Sequence, residues 1–396
     1  MSGPHLDVCV VGGCGRAGLP LALSFAHAGL RVGIYDVDRL RVQLVAEGIV
    51  PFREAGADDL LPAMLAAGRI EVASEPSIVG RADAAVIVVG TPMDEFLEPT
   101  FTPLTRCVDD IAPHLAPRSL VVLRSTVHPG TSAWLARTLA DRGLDVDVAM
   151  CPERVTEGNA LDELRSLPQL IGADSAVARE RAEGLFHRIA PRTIAVSARE
   201  AELSKLLTNA WRYMKFAVAN HFFRIAVEAG IDYENVLRAV REDYPRAADL
   251  PGPGFAAGPC LLKDTMQLAA FAQDHQLAQA SMAVNEGLPG LVVERLQLRR
   301  SLLGARIGIL GMAFKKNSDD TRDSLGYKLR KLLLRAGAIV LCTDPYVRSE
   351  DISPIADVVA GSDVIILGVP HDVYRDADLA GKEIVDVWGA LGPIRV

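Results

Sequence analysis

The segment PGPGFAAGPCLLKDTMQL holds the residue best suited to covalent chemistry. Cys260 follows the Pro/Gly-rich stretch Pro245–Pro259 and is followed by Lys263 and Asp264. A thiol at a helix N-terminus near ammonium groups is readily ionised, and the thiolate attacks carbonyl carbon. The bland alternative is a buried structural cysteine, which is the expectation for Cys9, Cys14, Cys107, Cys151 and Cys342. Cys260 differs because turn-formers and ionisable groups surround it, not β-branched core residues.

Other polar residues are spaced for joint action. Lys205, Asn209 and Arg212 fall at i, i+4 and i+7 of a helical pattern and share one face. Lysine and asparagine could donate hydrogen bonds to an oxyanion forming at a reacting carbon, or the three could be an exposed polar stripe. In CPERVTEG, Glu153 and Glu157 could hold substrate hydroxyls or a water, or merely open a helix. The eight histidines lack ligand spacing, so no metal site is expected. His221 reads as packing or hydrogen-bonded rather than catalytic.

A second chemistry lies at the N-terminus. Gly13, Cys14, Gly15, Arg16, Ala17 and Gly18 fit Gly-x-Gly-x-x-Gly between the apolar run Val8–Val11 and a helical stretch. Such glycines permit a tight turn and close approach of backbone to a pyrophosphate at the helix N-terminus. The next strand ends in Asp36, where a carboxylate would accept from a ribose 2′-hydroxyl and repel a 2′-phosphate, favouring NAD over NADP. A turn needed only for packing is the competing reading. Arg41 could approach the same ribose or be a solvated helix residue.

The elements that must carry these groups are readable in outline. Val8–Val11, Val32–Tyr35, Ala85–Val89, Leu120–Leu123 and Val146–Ala149 read as buried parallel strands, with helices at Leu19–Ala28 and Arg39–Glu47 between them. This alternation predicts an N-terminal doubly wound α/β domain with ligands at the carboxyl ends of its strands. From Ala201 to Leu298 the strand signal vanishes. A long helix closed by Gly230 and a further helix near Lys263 are expected there. RIGILG, AIVLCTD, DVIILGV and EIVDVW then predict a smaller C-terminal Rossmann-like domain from Arg306 onward. Two such units flanking a helical spacer could hold two nucleotides.

Composition bounds the partners. The 396 residues are 49% hydrophobic with a net charge of −8 and a pI near 5.6. That argues against nucleic-acid binding, though a local basic pocket could take an acidic substrate. No basic-plus-apolar leader and no apolar stretch of membrane-spanning length is visible, and the scattered cysteines suit a reducing compartment, so a cytoplasmic location is expected.

With these motifs on the page, the chain resembles the UDP-glucose/GDP-mannose dehydrogenase family almost from end to end. VVGGCGRAGLPLA, VGTPMDEFLEP, LRSTVHPGT, CPERVTEG, AELSKLLTNAWR, PGPGFAAGPCLLKD and GILGMAFKKNSDDTRDS follow in the family's order. The resemblance implies an NAD-binding domain over residues 1–198, a central helical dimerisation domain with the nucleophile loop over 199–300, and a nucleotide-sugar-binding domain over 301–396. It implies two hydride transfers to NAD, with Cys260 capturing the aldehyde as a thiohemiacetal that becomes a thioester and is then hydrolysed. By position it makes Lys205 and Asn209 oxyanion stabilisers and substrate contacts, and Asp264 and Thr126 water-handling residues. It makes Glu153 an acid/base and substrate residue. Thr91, Glu157, Lys263 and Arg322 become cofactor contacts; Gly258, Phe314 and Lys315 become substrate contacts. Arg246 corresponds loosely to an arginine reaching the neighbouring subunit's substrate.

Departures from the family pattern bear on the sugar. Ala257-Gly258-Pro259-Cys260 replaces the usual Gly-Gly-x-Cys, Gly90 stands where proline is common, and His221 where glutamate is common. Ala257 adds a Cβ and Pro259 removes a donor beside the nucleophile. CPERVTEG with its downstream DEL and the short MDEFLEP segment resemble the UDP-N-acetylhexosamine members, acting on UDP-ManNAc or UDP-GlcNAc, in polysaccharide biosynthesis. Glu157-Gly158 resembles the UDP-glucose members, the runner-up reading. A one-step hydroxy-acid dehydrogenase is disfavoured by the second α/β domain, and a non-catalytic NAD-binding protein by the reacting groups.

Overall fold

Apolar runs too short for helices become strands where both faces can be covered. The computed structural model describes residues 4–92, 94, 100–272 and 276–396, in two compact units, 1–208 and 209–396. The first unit begins with β1 (Leu6–Val11), α1 (Gly18–His27), β2 (Val32–Tyr35), α2 (Arg39–Ala46), α3 (Ala57–Ala66) and β3 (Ile70–Ala73). It continues with β4 (Ala82–Ile87), α4 (Thr102–Ile111), β5 (Leu120–Leu123), α5 (Thr131–Asp141), β6 (Asp147–Met150) and α6 (Ala160–Ser166). Last come β7 (Gln169–Gly172), α7 (Ala176–Phe186) and β8 (Thr193–Val196). The chain then enters α8 (Ala198–Glu228), within which the division between units falls.

The eight strands lie in the order β3-β2-β1-β4-β5-β6-β7-β8. All neighbours are parallel except β6 and β7, which meet antiparallel at Met150 and Gly172. Alternate residues of β1 enter opposite cores: Val8 and Val10 pack with Leu21 and Phe25, Cys9 and Val11 with Leu104 and Val108. Strand order reverses between β1 and β4, so the loops after these strands part and leave a crevice, the usual ligand position in such sheets. The expected doubly wound architecture is therefore present. Two of the five anticipated strands, Val32–Tyr35 and Leu120–Leu123, have the anticipated bounds; β4 starts and ends earlier than the run Ala85–Val89 suggests. Strands β3, β7 and β8 lie outside the anticipated set.

The second unit contains the rest of α8, then α9 (Tyr233–Arg241), α10 (Leu261–Ala272) and α11 (Gln276–Arg299). It closes with β9 (Arg306–Leu310), α12 (Leu325–Arg335), β10 (Ile339–Thr343), α13 (Ile355–Ala360), β11 (Val364–Leu367) and β12 (Glu383–Val385). As the sequence suggests, Gly230 follows α8 in a left-handed conformation (φ +68°), which a glycine adopts without a Cβ penalty. The four strands form a parallel sheet ordered β10-β9-β11-β12. One core joins the helices to this sheet, running from Phe223, Leu288 and Val292 to Leu329 and Ile366. Among the described residues no helix is long and apolar enough to cross a membrane.

Candidate active site

The glycine turn after β1 is built for close approach. Gly12 has φ +79°. A Cβ on Gly13 would lie 2.7 Å from the Val10 carbonyl oxygen, and one on Gly18 would lie 2.5 Å from that of Gly12. Side chains there would push turn and helix apart. The first turn of α1 has no acidic residue and no side-chain cap, so no carboxylate competes there with an anion. A cavity of about 460 Å³ opens beside this turn, lined by Gly12, Gly15, Asp36, Arg41, Val89 and Arg106 among others. Asp36 is half-buried and accepts from the Cys14 and Asp38 N–H groups, both at 3.0 Å. Arg41 reaches back to Asp38, Nε to Oδ2 3.2 Å. Arg16 lies over the Phe52 ring. The Cys14 thiol instead belongs to the core, where burial pushes it up to about 12, so only its backbone serves the turn. These residues fit a dinucleotide with a free ribose 2′-hydroxyl.

Loops after β4, β5 and β6 are cross-tied. Thr91 Oγ1 donates to the Thr126 carbonyl at 2.6 Å, and Val89 N–H to Ser125 Oγ at 2.9 Å. Arg124, fully buried at the end of β5, donates through Nε (2.9 Å) and Nη2 (2.6 Å) to Glu153 Oε2. Its Nη1 donates to the Cys151 carbonyl and to Gln169 Oε1. Glu153 Oε1 accepts from the Arg154 and Val155 N–H groups. Four donors thus fill the acceptor positions of that carboxylate. Glu157 precedes α6 rather than opening it; the first-turn acids of that helix are Asp162 and Glu163. Buried Glu54 accepts from Gly158, Ala160 and Leu161 N–H, fixing the loop that bears Glu157. Of the MDEFLEP segment, Met93 and Glu95–Pro99 lie outside the described residues.

Helix α8 presents buried polar groups on successive turns. Glu202, Lys205 and Asn209 are 1%, 8% and 4% exposed, which rules out a solvated stripe for Lys205 and Asn209. Arg212 is exposed, its long side chain free to reach water. Glu202 accepts at 2.6 Å from Gly130 N–H, Ser132 N–H and Ser132 Oγ, capping α5 within the first unit.

In the second unit Asn209 Nδ2 donates to Asp264 Oδ2 at 2.5 Å, and Lys263 Nζ lies 2.5 Å from Asp264 Oδ1. Asp264 N–H donates to the Cys260 carbonyl at 2.9 Å, so Cys260 stands immediately ahead of the first turn of α10. Cys260 is the exposed thiol of the six; the other five are buried. Burial pushes Cys9, Cys107 and Cys151 up to about 12 and Cys342 to about 11.

Gly258 has φ +105°, and a Cβ there would lie 2.5 Å from the Phe314 ring. Lys315 lies beside that ring, Nζ 6.0 Å from its centroid. The loop bearing both is folded by buried Asp320, whose carbonyl accepts from Phe314 N–H and whose carboxylate pairs with Arg322. The structure therefore brings Asn209, Gly258, Cys260, Lys263 and Asp264 together with Phe314. Thr91, Thr126, Glu153, Glu157 and Lys205 belong to the first unit. Arg246 is exposed and stacked on Tyr244. His221 is exposed on α8, and Gly90 borders the dinucleotide cavity with open space about its α-carbon.

Three residues with clear structural work were not anticipated: Arg124, Glu54 and Glu202. Arg124 had a usable signal, a charge directly after a fully apolar strand. Glu202 had another, one turn before Lys205. Glu54 had none.

Comparisons with known proteins give a consistent picture. Residues 6–190, 199–287 and 308–393 match the NAD binding, central and UDP binding domains of the UDP-glucose/GDP-mannose dehydrogenase family. The chain is 31% identical over 381 residues to the UDP-N-acetyl-D-mannosamine dehydrogenase of Pyrococcus horikoshii, covering 92% of this chain and 90% of that protein. It is 30% identical over 380 residues to that of Methanocaldococcus jannaschii, covering 94% and 87%. A UDP-glucose dehydrogenase structure from Pyrobaculum islandicum superposes with a TM-score of 0.91 at 28% identity, covering 98% and 95%.

Proposed function

Because the chain belongs to the UDP-glucose/GDP-mannose dehydrogenase family, NAD-dependent oxidoreductases of nucleotide sugars, we propose that it oxidises the C6 alcohol of a UDP-N-acetylhexosamine to the uronate through Cys260. The observation that carries the covalent step is the contrast among six thiols. Five are buried and silent, while Cys260 is exposed ahead of a helix whose first turn brings Lys263 and Asp264.

When bound, NAD supplies the hydride acceptor for both two-electron oxidations, so two NADH leave per sugar. The chain's residues do the rest. The glycine turn and the start of α1 would hold its pyrophosphate, and Asp36 would take the ribose 2′-hydroxyl and repel a 2′-phosphate. After the first oxidation, Cys260 Sγ adds to the aldehyde carbon, forming a C–S bond and an alkoxide. Asn209 donates to that oxygen. The resulting tetrahedral carbon is a good hydride donor where the free aldehyde is a poor one, and its oxidation leaves a thioester. Asp264 orients the water that adds to it; the C–S bond breaks, the uronate leaves and Cys260 is regenerated. Glu153, its acceptor positions filled by Arg124 and two amides, holds the CPERVTEG loop, and proton transfer in hydrolysis falls to Asp264.

The relatives named for UDP-N-acetyl-D-mannosamine support the choice of sugar, and the structural likeness to a UDP-glucose dehydrogenase favours UDP-glucose as the second reading. A homodimer is part of the proposal: Trp211, Val218, Phe222 and Ile225 lie exposed along α8, an apolar face that a second copy would cover. The deciding experiment is NAD reduction with UDP-ManNAc, UDP-GlcNAc and UDP-glucose, scored for NADH per uronate. Wild type should give two NADH per uronate and Cys260→Ala no uronate; uronate formation by that variant would overturn the covalent route.

A further inference from the structure

The nucleophile loop, residues 250–259, belongs to no helix or strand, so its backbone must find other partners. At Gly254 it finds a side chain. Asn220, 1% exposed on α8, accepts from Gly254 N–H at 2.9 Å and donates through Nδ2 to the Gly254 carbonyl at 3.0 Å. One carboxamide thus pairs with both backbone groups of one residue, as a neighbouring strand would. Its orientation is not free. Asn220 Nδ2 also donates to Asn285 Oδ1 at 2.9 Å, and Asn285, fully buried on α11, donates through its own Nδ2 to the Tyr213 carbonyl at 3.1 Å. The Tyr213 carbonyl can only accept, so it fixes which way Asn285 points. Asn285 in turn fixes Asn220, and Asn220 matches Gly254 donor to acceptor.

The other side of Gly254 is closed by an aromatic wall. A Cβ at this position would overlap the Trp388 ring, which Phe255 meets edge-on with centroids 6.2 Å apart. Trp388 is held in turn by its Nε1 donating to the Gly368 carbonyl at 3.2 Å. Four residues on, Gly258 rests against Phe314 and donates to the Asp323 carbonyl at 3.4 Å. The loop is therefore pinned at Gly254 and again at Gly258, and Cys260 follows the second pin.

We propose that Asn220, oriented by Asn285, is a positioning residue that keeps the Cys260 sulfur in place to capture the aldehyde, coupling the second oxidation to the first. The proposal rests on the covalent reading of Cys260 given above. Hydride loss from the alcohol needs no sulfur; trapping the aldehyde does. Releasing the Gly254 pin therefore damages the second half of the reaction more than the first. The aldehyde then escapes before its carbon bonds to sulfur.

The test is product partitioning. Wild type and Asn220→Ala are given limiting UDP-sugar and excess NAD, with hydroxylamine present to trap free aldehyde, and NADH, uronate and oxime are counted. Wild type giving two NADH and no oxime upholds the covalent reading; wild type giving one NADH defeats that reading and the proposal with it. Given a two-NADH wild type, the expected result for Asn220→Ala is a ratio falling toward one with matching oxime. Uronate turnover should drop on the order of 100-fold, as for a reacting group displaced by about 1 Å. NAD affinity should be unchanged. An Asn220→Ala enzyme that is slower but still makes two NADH and no oxime overturns the positioning role and leaves Asn220 merely structural. Should Asn220→Ala not fold, Asn285→Ala is read by the same count, since it leaves the Gly254 bonds possible and removes only what orients them.

Discussion

Replacing Arg124 with methionine should destabilise the first unit severely, and neutralising Glu153 as well should cost less than the two changes taken separately would add up to. The Arg124 side chain is 1% exposed and that of Glu153 14%. Arg124→Met leaves a nearly buried carboxylate with two amide donors instead of four, and strips a donor from the Cys151 carbonyl and from Gln169 Oε1. Breaking a buried pair from one side costs about 3–5 kcal/mol, to which lost stacking of the guanidinium on Phe186 adds about 1 kcal/mol. Glu153→Gln makes the opposite error and strands the guanidinium. The double variant strands neither charge, so its cost should fall short of the sum by about 2–3 kcal/mol, the scale of coupling between residues in one buried network. Urea denaturation of the four proteins, followed by circular dichroism, measures this coupling. Strict additivity within about 0.5 kcal/mol would refute the claim that the pair acts as a unit. The same series bears on mechanism. If Glu153 anchors its loop rather than moving protons, Glu153→Gln should lower turnover without removing a limb from the pH–rate profile.

Two further outcomes follow from particular contacts. Gly258→Ala puts a β-carbon into the Phe314 ring at a left-handed φ; the backbone penalty alone is about 1–2 kcal/mol. Because the ring or the loop must also shift, turnover should fall roughly 100-fold while the melting temperature moves by only a few degrees, and wild-type kinetics would contradict the contact. Directly after β10, Asp344 is buried, which alone would raise its pKa, yet His371 and the Tyr346 and Ala313 N–H groups hold it below the ordinary carboxylate value. A depressed carboxylate lends stability that is complete above the unfolded value near pH 4 and is lost as pH falls through the lower folded value. Acid unfolding of wild type should accordingly begin below about pH 4, and His371→Ala should raise that onset; an unchanged onset would mean that His371 does not hold Asp344.

What could be read in advance, and what could not, divides by the range of the interaction. Val32–Tyr35 and Leu120–Leu123 were legible to the residue because every position is buried and polar residues bound each run. Strand β4 was misplaced because the apolar run continues through Val88 and Val89 after the last ladder pair, Val11 with Ile87. Strand β8 escaped because it is a half-exposed edge of four residues whose composition does not separate it from a loop. Cys260 was legible because its local surroundings are wrong for a core cysteine. Partners far apart in sequence are another matter. Asn209 meets Asp264 across 55 residues, Asn220 meets Gly254 across 34, and Glu202 meets Gly130 across 72. A lone asparagine in a helix has the same local pattern whether it faces water or a backbone amide, since helical periodicity reports a face and not its partner. Asn220 lies among alanines and phenylalanines on α8, where a polar side chain costs about 1–3 kcal/mol if buried without partners. That cost was the readable hint: a polar residue in an apolar face must be met by something equally buried, and a backbone outside any helix or strand is where unmet donors and acceptors remain.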